Sequence, residues 1–167
     1  ARYGVMKKGH TDIQWFNLPN HYVFHYANSW EEDNVIKIFA VVYEDIKIGF
    51  NNTEHPFLAE PVSKVPFYKF ELDLKTGDYK YEKLISNYSF EFPTINLDYM
   101  GYKNQFCYLA YMADKVSEGV GASENVFIKG FIKYDLQNEK ILNQIDFGPT
   151  HTGQEVLFQK REGATSE

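Results

Sequence analysis

Three ionisable residues recur at a nearly constant spacing in this sequence of 167 residues. They are His25, Glu91 and Glu155, and the intervals between them are 66 residues (91 − 25) and 64 residues (155 − 91). Each lies among apolar neighbours, where burying an ionisable group is costly unless it is paired or binds a metal. A metal-bound imidazole usually donates its second N–H group to a carboxylate. The spacing therefore fits a metal ligand, His25, with two supporting carboxylates; the alternative is three half-exposed residues on strand surfaces.

The elements that carry these residues are predicted to be β-strands. Aromatic residues make up 17% of the sequence, and they favour the pleated, half-buried surface of a sheet. Short apolar runs alternate with turn residues, which is typical of strands and hairpins. Residues 46–62 and 117–124 are predicted loops, and residues 31–33 are predicted to form a turn. The predicted strands span 2–6, 13–18, 22–27, 35–42, 67–74, 79–85, 106–112, 126–136, 140–147 and 155–159.

A hairpin pattern occurs twice in the sequence. Residues 70–78 and 132–140 each contain an apolar strand that ends in Asp-Leu and is followed by a polar turn, and the turn residues Asp73 and Asp135 are 62 positions apart (135 − 73). A weaker third copy lies at residues 3–18. Antiparallel strands repeating with a period of about 60 residues are typical of β-propeller blades. The expected fold class is all-β, with two to three blades of a propeller; the alternative is a β-sandwich with a chance internal similarity.

Three segments resemble motifs of the carotenoid cleavage oxygenases. Residues 24–32 resemble the motif Phe-His-x-x-Asn-x-(aromatic)-Glu-(Glu/Asp), whose histidine is an iron ligand in that family. Residues 91–96 resemble Glu/Asp-Phe-Pro-x-(Ile/Val)-Asn. Residues 153–158 resemble Gly-(Gly/x)-Glu-Pro-x-Phe, with Val156 in place of the proline. The matches occur in the family's order over nearly the whole chain, which makes the resemblance specific.

The resemblance implies a seven-bladed β-propeller with Fe(2+) on its axis, held by four histidines, three of which are supported by glutamates. His25 would be the third ligand in chain order, and Glu91 and Glu155 would be supporting glutamates. We expect the other ligands outside this chain, which would be a fragment of one propeller domain, truncated at both ends and inactive by itself. Phe24 is expected either to line a substrate tunnel or to pack in the core. The remaining histidines, which match no ligand motif, are His10, His21, His55 and His151.

The function that the resemblance implies is an iron(II)-dependent dioxygenase that cleaves a conjugated C=C bond of a carotenoid or apocarotenoid to two carbonyl products. The alternatives are cleavage of a stilbene-type phenylpropanoid, a metal-free propeller that serves as a binding or retinoid-handling module, and an unrelated sugar- or protein-binding β-domain. The expected partners are an apolar polyene and O2, with peripheral membrane contact to extract the substrate, in the cytoplasm or a plastid. A net charge of -6 argues against a nucleic-acid partner, because the sequence has no basic stripe for a phosphate backbone.

Overall fold

The computed structural model describes residues 1–49, 58–61, 64–112 and 128–165, and these residues form an all-β structure. One turn of 3-10 helix spans Leu97–Tyr99. No helix in the described ranges is long and apolar enough to cross a membrane. The strands in these ranges are β1 (Arg2–Met6), β2 (Ile13–Asn17), β3 (Tyr26–Glu32), β4 (Val35–Val41), β5 (Ile46–Gly49), β6 (Leu58–Pro61), β7 (Phe67–Asp73), β8 (Tyr79–Ile85), β9 (Ser89–Thr94), β10 (Phe106–Met112), β11 (Ile128–Asp135) and β12 (Lys140–Asp146).

The strands form two four-stranded antiparallel sheets and two separate hairpins. The first sheet has the order β3-β4-β7-β8, and the second has the order β9-β10-β11-β12. The hairpin of β5 and β6 is inserted between β4 and β7, and β1 pairs with β2 in the other hairpin. Up-and-down sheets of four strands, joined in sequence, are the arrangement of propeller blades. The all-β prediction is confirmed.

The first sheet is buried on both faces. Neighbouring residues of a strand point to opposite faces, and in β4 the neighbours Ile38 and Phe39 belong to different apolar clusters. Phe39 packs in the cluster that contains Phe67 and, from the second sheet, Phe90. Ile38 packs in the cluster that contains Phe16 of the β1–β2 hairpin. Because each fully buried side chain of this size contributes about 1.5–3 kcal/mol, the stacking of the sheets fixes where β3 and β9 lie.

The repeated hairpin is present with the same turn chemistry in both sheets. One carboxylate oxygen of Asp73 accepts hydrogen bonds from the backbone N–H groups two and three residues later, at 2.8 and 3.0 Å. One oxygen of Asp135 accepts the equivalent bonds at 3.0 and 2.9 Å. An aspartate that binds its own backbone in this way stabilises a turn. The prediction that both residues are hairpin-turn residues is confirmed.

The strand predicted at residues 22–27 is wrong in its position, because β3 begins at Tyr26. Residues 22–25 approach the sheet with a single backbone bridge, in which Tyr22 and Tyr43 exchange two N–H···O bonds of 2.9 Å. Full pairing with β4 begins only at Tyr26, and the register shifts at once between Tyr26 and Asn28. His25 therefore lies just outside the regular strand.

The predicted turn at residues 31–33 is also displaced. Glu31 and Glu32 lie inside β3, because they pair with the first two residues of β4. The turn consists of Asp33 and Asn34, whose φ angles are 53° and 64°. Asp and Asn tolerate the left-handed region that such a tight hairpin requires.

Other predicted elements also differ from those of the structure. Residues 46–62 contain the paired strands β5 and β6 rather than a loop alone, and residues 117–124 lie outside the described part of the chain. The predicted strand ranges leave out residues 89–94, which form β9 because they pair with β10. The strand predicted at 155–159 is absent: the nearest pairing is one bridge between Gly153 and Ile128, and no described strand pairs with residues 155–159.

Candidate functional site

His25 and Glu91 meet where the first strands of the two sheets approach each other. His25 directly precedes β3, and Glu91 is the third residue of β9. The imidazole Nδ1 lies 2.7 Å from Glu91 Oε2. The side chain of Glu91 is 6% exposed, whereas that of His25 is 48% exposed. Two residues that are distant in sequence, as the spacing predicts, are therefore in direct contact, with the carboxylate inside and the imidazole facing open space.

The carboxylate of Glu91 is held by three donors. Besides the contact with His25, its Oε1 accepts a hydrogen bond of 2.6 Å from the Tyr43 hydroxyl. Its Oε2 also accepts a bond of 3.0 Å from the backbone N–H of Phe92. A buried carboxylate is tolerated when hydrogen bonds replace its hydration. These donors fix the orientation of both oxygens.

Burial raises the pKa of Tyr43, and the hydrogen bond to Glu91 raises it further. At neutral pH the hydroxyl therefore keeps its proton. It remains a donor to the carboxylate, because an ionised phenolate next to Glu91 would be both desolvated and repelled.

The backbone at Phe92 explains how Glu91 reaches His25. Phe92 has a φ angle of 49°, in the left-handed region that a bulky residue rarely adopts. The register between β9 and β10 shifts at this level, between Tyr108 and Ala110. A β-bulge redirects the side chains next to it, and here it turns the Phe92 amide toward the carboxylate. The ring of Phe92 lies 5.1 Å from the His25 ring.

The contact with Glu91 assigns the proton of His25. A carboxylate can only accept, so Nδ1 carries the hydrogen in this contact, and in the neutral ring the lone pair is then on Nε2. Nε2 makes no hydrogen bond to any residue in the described ranges. A neutral imidazole with a carboxylate on one nitrogen and an open lone pair on the other has the form of a metal ligand. Within the described residues, no group of three or more His, Cys, Asp and Glu side chains could hold a metal ion; the role of His25 as a metal ligand stays a prediction.

Phe24 is neither in the core nor fully exposed. It is 36% exposed, and its ring makes edge contacts with Tyr22 at 4.7 Å and with Tyr43 at 5.2 Å. Phe24 therefore packs on the tyrosine that binds Glu91 and leaves part of its ring exposed. The core-packing alternative does not describe this position fully, and a role in a tunnel remains a prediction.

The structure does not bring Glu155 to the other two residues. Glu155 is exposed and lies in an irregular segment, and it has no hydrogen bond or ion pair with His25 or Glu91. Phe158 anchors this segment through its ring, 5.5 Å from the ring of Tyr108. Without a strand to pair with, the segment is not held along the direction of β3 and β9. The supporting role of Glu155 stays a prediction.

The other described histidines have different surroundings. His10 lies in an exposed turn, and His151 is exposed. His21 is half-buried between aromatic rings, with Nδ1 2.8 Å from the Pro19 carbonyl and Nε2 3.0 Å from the Tyr3 hydroxyl. Burial lowers the pKa of His21, opposed by the bond to the Pro19 carbonyl. Both of its ring nitrogens are occupied, so it is not a free ligand; His55 lies outside the described residues.

Sequence reasoning did not identify Tyr43 or the special backbone of Phe92. Tyr43 follows the predicted strand at 35–42 and belongs to no family motif quoted above. The strand register gives no signal for it either, because continuing the pairing of Tyr26 with Ala40 would place Tyr43 opposite Val23, whereas the observed bridge joins Tyr43 to Tyr22. The left-handed conformation of Phe92 has no sequence signal, since glycine or asparagine is the usual choice there.

Comparisons with known proteins agree with the motif matches. The family described as retinal pigment epithelial membrane protein matches residues 1–167. A carotenoid 9,10(9',10')-cleavage dioxygenase of Crocus sativus is 30% identical over 183 residues, which cover 100% of this chain and 31% of that protein. An isoeugenol monooxygenase of Pseudomonas putida is 31% identical over 101 residues, which cover 59% of this chain and 21% of that protein. The chain spans about a third of the length of the first of these relatives.

A solved structure shows the same fold. The cobalt-substituted apocarotenoid oxygenase of Synechocystis superposes on the chain with a TM-score of 0.77 and a sequence identity of 19%. The match covers 99% of this chain and 33% of that one. The two four-stranded sheets and the β1–β2 hairpin thus have the architecture of part of a β-propeller.

Proposed function

The chain belongs to the carotenoid oxygenase family described as retinal pigment epithelial membrane protein, and on that premise we propose that its protein is an iron(II)-dependent dioxygenase. The proposed reaction is the cleavage of one conjugated C=C bond of a carotenoid or apocarotenoid to two carbonyl products. Residues 1–167 would supply two to three blades of a single seven-bladed propeller domain. The observation that carries the proposal is the 2.7 Å contact between His25 Nδ1 and Glu91 Oε2, because it leaves Nε2 available to a metal.

The chemistry of these groups fits iron(II). Neutral imidazole is a suitable ligand for iron, and a carboxylate on the second nitrogen raises its basicity. His25 would bind the ion through Nε2, and Glu91 would hold the ring; Glu155 is proposed to support another ligand of the whole protein. When bound, iron(II) supplies the activation of dioxygen, which protein side chains do not provide.

The residues of this chain then have positioning roles. Glu91 accepts the hydrogen bond from Nδ1 and so selects the tautomer of the neutral imidazole that has its lone pair on Nε2. Phe92 places apolar ring surface next to the imidazole, and Phe24, which packs on Tyr43, leaves part of its ring exposed. Apolar and aromatic walls orient a rigid hydrocarbon and exclude water. This surface supports an apolar polyene as the substrate.

The proposed reaction balances without a further reactant. The C=C bond and the O–O bond break, two C=O bonds form, and both atoms of one O2 end in the products. No proton and no external electron are consumed. The reaction therefore asks for no general base, in agreement with a His25 whose Nδ1 is committed to Glu91.

The proposal is tested with the full-length protein loaded with iron(II) and supplied with an apocarotenoid and isotopically labelled dioxygen. We expect two carbonyl products, both labelled when they are trapped before exchange with water. His25→Ala should abolish product formation, whereas His151→Ala, a substitution at an exposed histidine outside the motifs, should not. Absence of carbonyl products from the iron-loaded protein would contradict the proposal. Protein that binds the polyene but no iron would favour the metal-free alternative.

A phenylpropanoid substrate is the second candidate, and the similarity to isoeugenol monooxygenase favours it. Isoeugenol carries one propenyl double bond on an aromatic ring, so a tunnel for it is much shorter than one for a carotenoid. The same assay with isoeugenol and with a hydroxylated stilbene separates the two candidates. A higher kcat/KM for either compound than for any apocarotenoid would establish the second candidate.

A further inference from the structure

Tyr43 links the backbone that leads to His25 with the carboxylate that binds His25. Its backbone exchanges two hydrogen bonds of 2.9 Å with Tyr22, three residues before His25. Its hydroxyl donates a bond of 2.6 Å to Oε1 of Glu91, which belongs to the other sheet. Tyr43 is 7% exposed, and Phe24 packs edge-on against its ring at 5.2 Å. The tyrosine is thus fixed at both ends.

The two oxygens of Glu91 have different tasks. Oε2 receives the imidazole of His25 and the amide of Phe92, while Oε1 receives only the Tyr43 hydroxyl among the described residues. If that donor is removed, Oε1 becomes a buried acceptor without a partner, which is unfavourable. The carboxylate can then rotate to share its remaining donors between both oxygens. Rotation moves Oε2 away from Nδ1 of His25.

We propose that Tyr43 is a positioning residue for His25, whose hydroxyl fixes the Glu91 carboxylate and thereby the direction in which the imidazole presents Nε2. This inference rests on the proposed function of His25 as a metal ligand. It extends the site by one layer, from the imidazole to its carboxylate and from the carboxylate to a phenol on the neighbouring sheet.

The chain contains a matched control for this bond. Tyr68 of β7 is also buried, with 4% exposure, and its hydroxyl donates to the carboxylate of Glu44. Glu44 directly follows Tyr43 in the sequence but carries no contact to His25. Tyr68→Phe therefore removes the same kind of bond from the same sheet, and it leaves the His25–Glu91 contact in place.

The first experiment measures the affinity of the metal-free full-length protein for Co(II), followed by the visible absorption of the ion. We expect Tyr43→Phe to weaken binding by about 10-fold, the lower end of the range for groups outside the ligand shell, and to alter the ligand-field spectrum. Tyr68→Phe should lower the unfolding temperature without changing the affinity or the spectrum. Equal effects of both substitutions on Co(II) binding, or none from Tyr43→Phe, would overturn the proposal.

The second experiment decides the question without any metal. A crystal structure of metal-free Tyr43→Phe protein should show the Nδ1–Oε2 distance beyond hydrogen-bond range, or Glu91 in a second rotamer, while Tyr68→Phe keeps the contact at 2.7 Å as found here. An unchanged contact in Tyr43→Phe would refute the role of Tyr43. If wild-type protein binds no Co(II), the proposed function of His25 fails, and the crystal structure still decides whether Tyr43 positions the pair.

Discussion

The property of His25 that matters most is which ring nitrogen carries the proton. Glu91 can only accept a hydrogen bond, so the 2.7 Å contact places that proton on Nδ1. In the neutral ring the lone pair is then on Nε2, and the side chain of His25 is 48% exposed. The contact with Glu91 therefore selects the tautomer that the proposed metal site needs.

Replacing Glu91 by glutamine tests this dependence. The amide is neutral, and it must direct its oxygen at two donors while its NH2 group faces the Tyr43 hydroxyl, so the imidazole is held less firmly. We expect iron affinity and kcat/KM of the full-length protein to fall by about 10–100-fold. Glu31→Gln, the same change at an exposed position of β3, serves as the control. Iron content equal to wild type in both variants would show that Glu91 does not support a ligand.

The repeat in the sequence predicted which residues of successive blades lie close together. It gave no information about the positions of residues outside the repeat. The spacing of 66 residues placed His25 and Glu91 at equivalent points of successive blades, and they are in contact. The same spacing was used to predict the position of Glu155, but residues 155–159 form no strand that would hold it beside the other two. Tyr43 depends on pairing across a register shift near His25, and such shifts cannot be read from residue types.

At the scale of elements, an asparagine ties the two sheets together next to the site. Asn28 of β3 is 6% exposed; its amide NH2 donates to the Tyr102 carbonyl at 3.0 Å and to Asn104 Oδ1 at 2.9 Å. Its Oδ1 accepts a bond of 3.0 Å from the Gly101 backbone. The segment between β9 and β10 is thereby bound to β3, which fixes the two first strands relative to each other.

Asn28→Ala should therefore be strongly destabilising. It leaves the side chain of Asn104, a residue 2% exposed, without its donor, and it removes the hydrogen bonds to the more exposed backbone of Gly101 and Tyr102. Because an unsatisfied buried group costs about 1–3 kcal/mol and the other bonds add to that, we expect a loss of about 3 kcal/mol in the free energy of unfolding. Urea unfolding of the full-length protein measures it. Ser29→Ala, at the exposed neighbouring position, should change stability little. A loss below about 1 kcal/mol would mean that water replaces the Asn28 contacts.

The turn aspartates provide a prediction about pH. Asp135 is 2% exposed; burial would raise its pKa, but the bonds from Asn138, Gln105 and Gln137 outweigh burial and lower it to about 2. A carboxyl whose folded pKa is depressed stabilises the fold above its unfolded pKa, here 3.8, and that stability is lost as the pH falls toward 2. Asp73 is less buried and has two bonds from backbone amides only.

We expect Asp135→Asn to reduce stability at pH 6 by about 1–3 kcal/mol, as for the loss of hydrogen bonds to a charged group. The difference between wild type and variant should shrink as the pH is lowered toward 3, because the wild-type carboxyl begins to take up its proton. Asp73→Asn should have a smaller effect. Urea unfolding at a series of pH values checks both. A difference that is constant with pH would show that the charge of Asp135 does not contribute.

Elements with a strong alternation or a marked turn were predictable from the sequence, and others were not. The hairpins at Asp73 and Asp135 follow from local turn chemistry. The start of β3 and the existence of β9 depend on partners far along the chain. In β9, the left-handed backbone at Phe92 also interrupts the regular alternation by which strands are recognised in a sequence. The inserted hairpin of β5 and β6 has few residues that signal a strand or a tight turn. Its pairing therefore could not be predicted from the local sequence either.

At the scale of the whole molecule, three layers stack face to face: the β1–β2 hairpin, the first sheet and the second sheet. Apolar clusters fill both interfaces. A polar contact joins the sheets as well, because Lys69 of β7 binds Glu82 in its own sheet and Glu139, at 2.6 Å, beyond β11. The two copies of the hairpin, 62 residues apart, lie in the two stacked sheets. This is why propeller blades could be inferred from the repeat. The chain covers about a third of its relatives, so the full ligand set was beyond sequence reasoning on these residues.

The most direct measurement is a crystal structure of the full-length protein with data collected on both sides of the iron absorption edge. The account predicts an anomalous iron peak bonded to Nε2 of His25, with Nδ1 of the same ring on the Glu91 carboxylate. A peak on Nδ1, a peak at a site remote from His25, or iron-loaded protein with His25 unbound would contradict it.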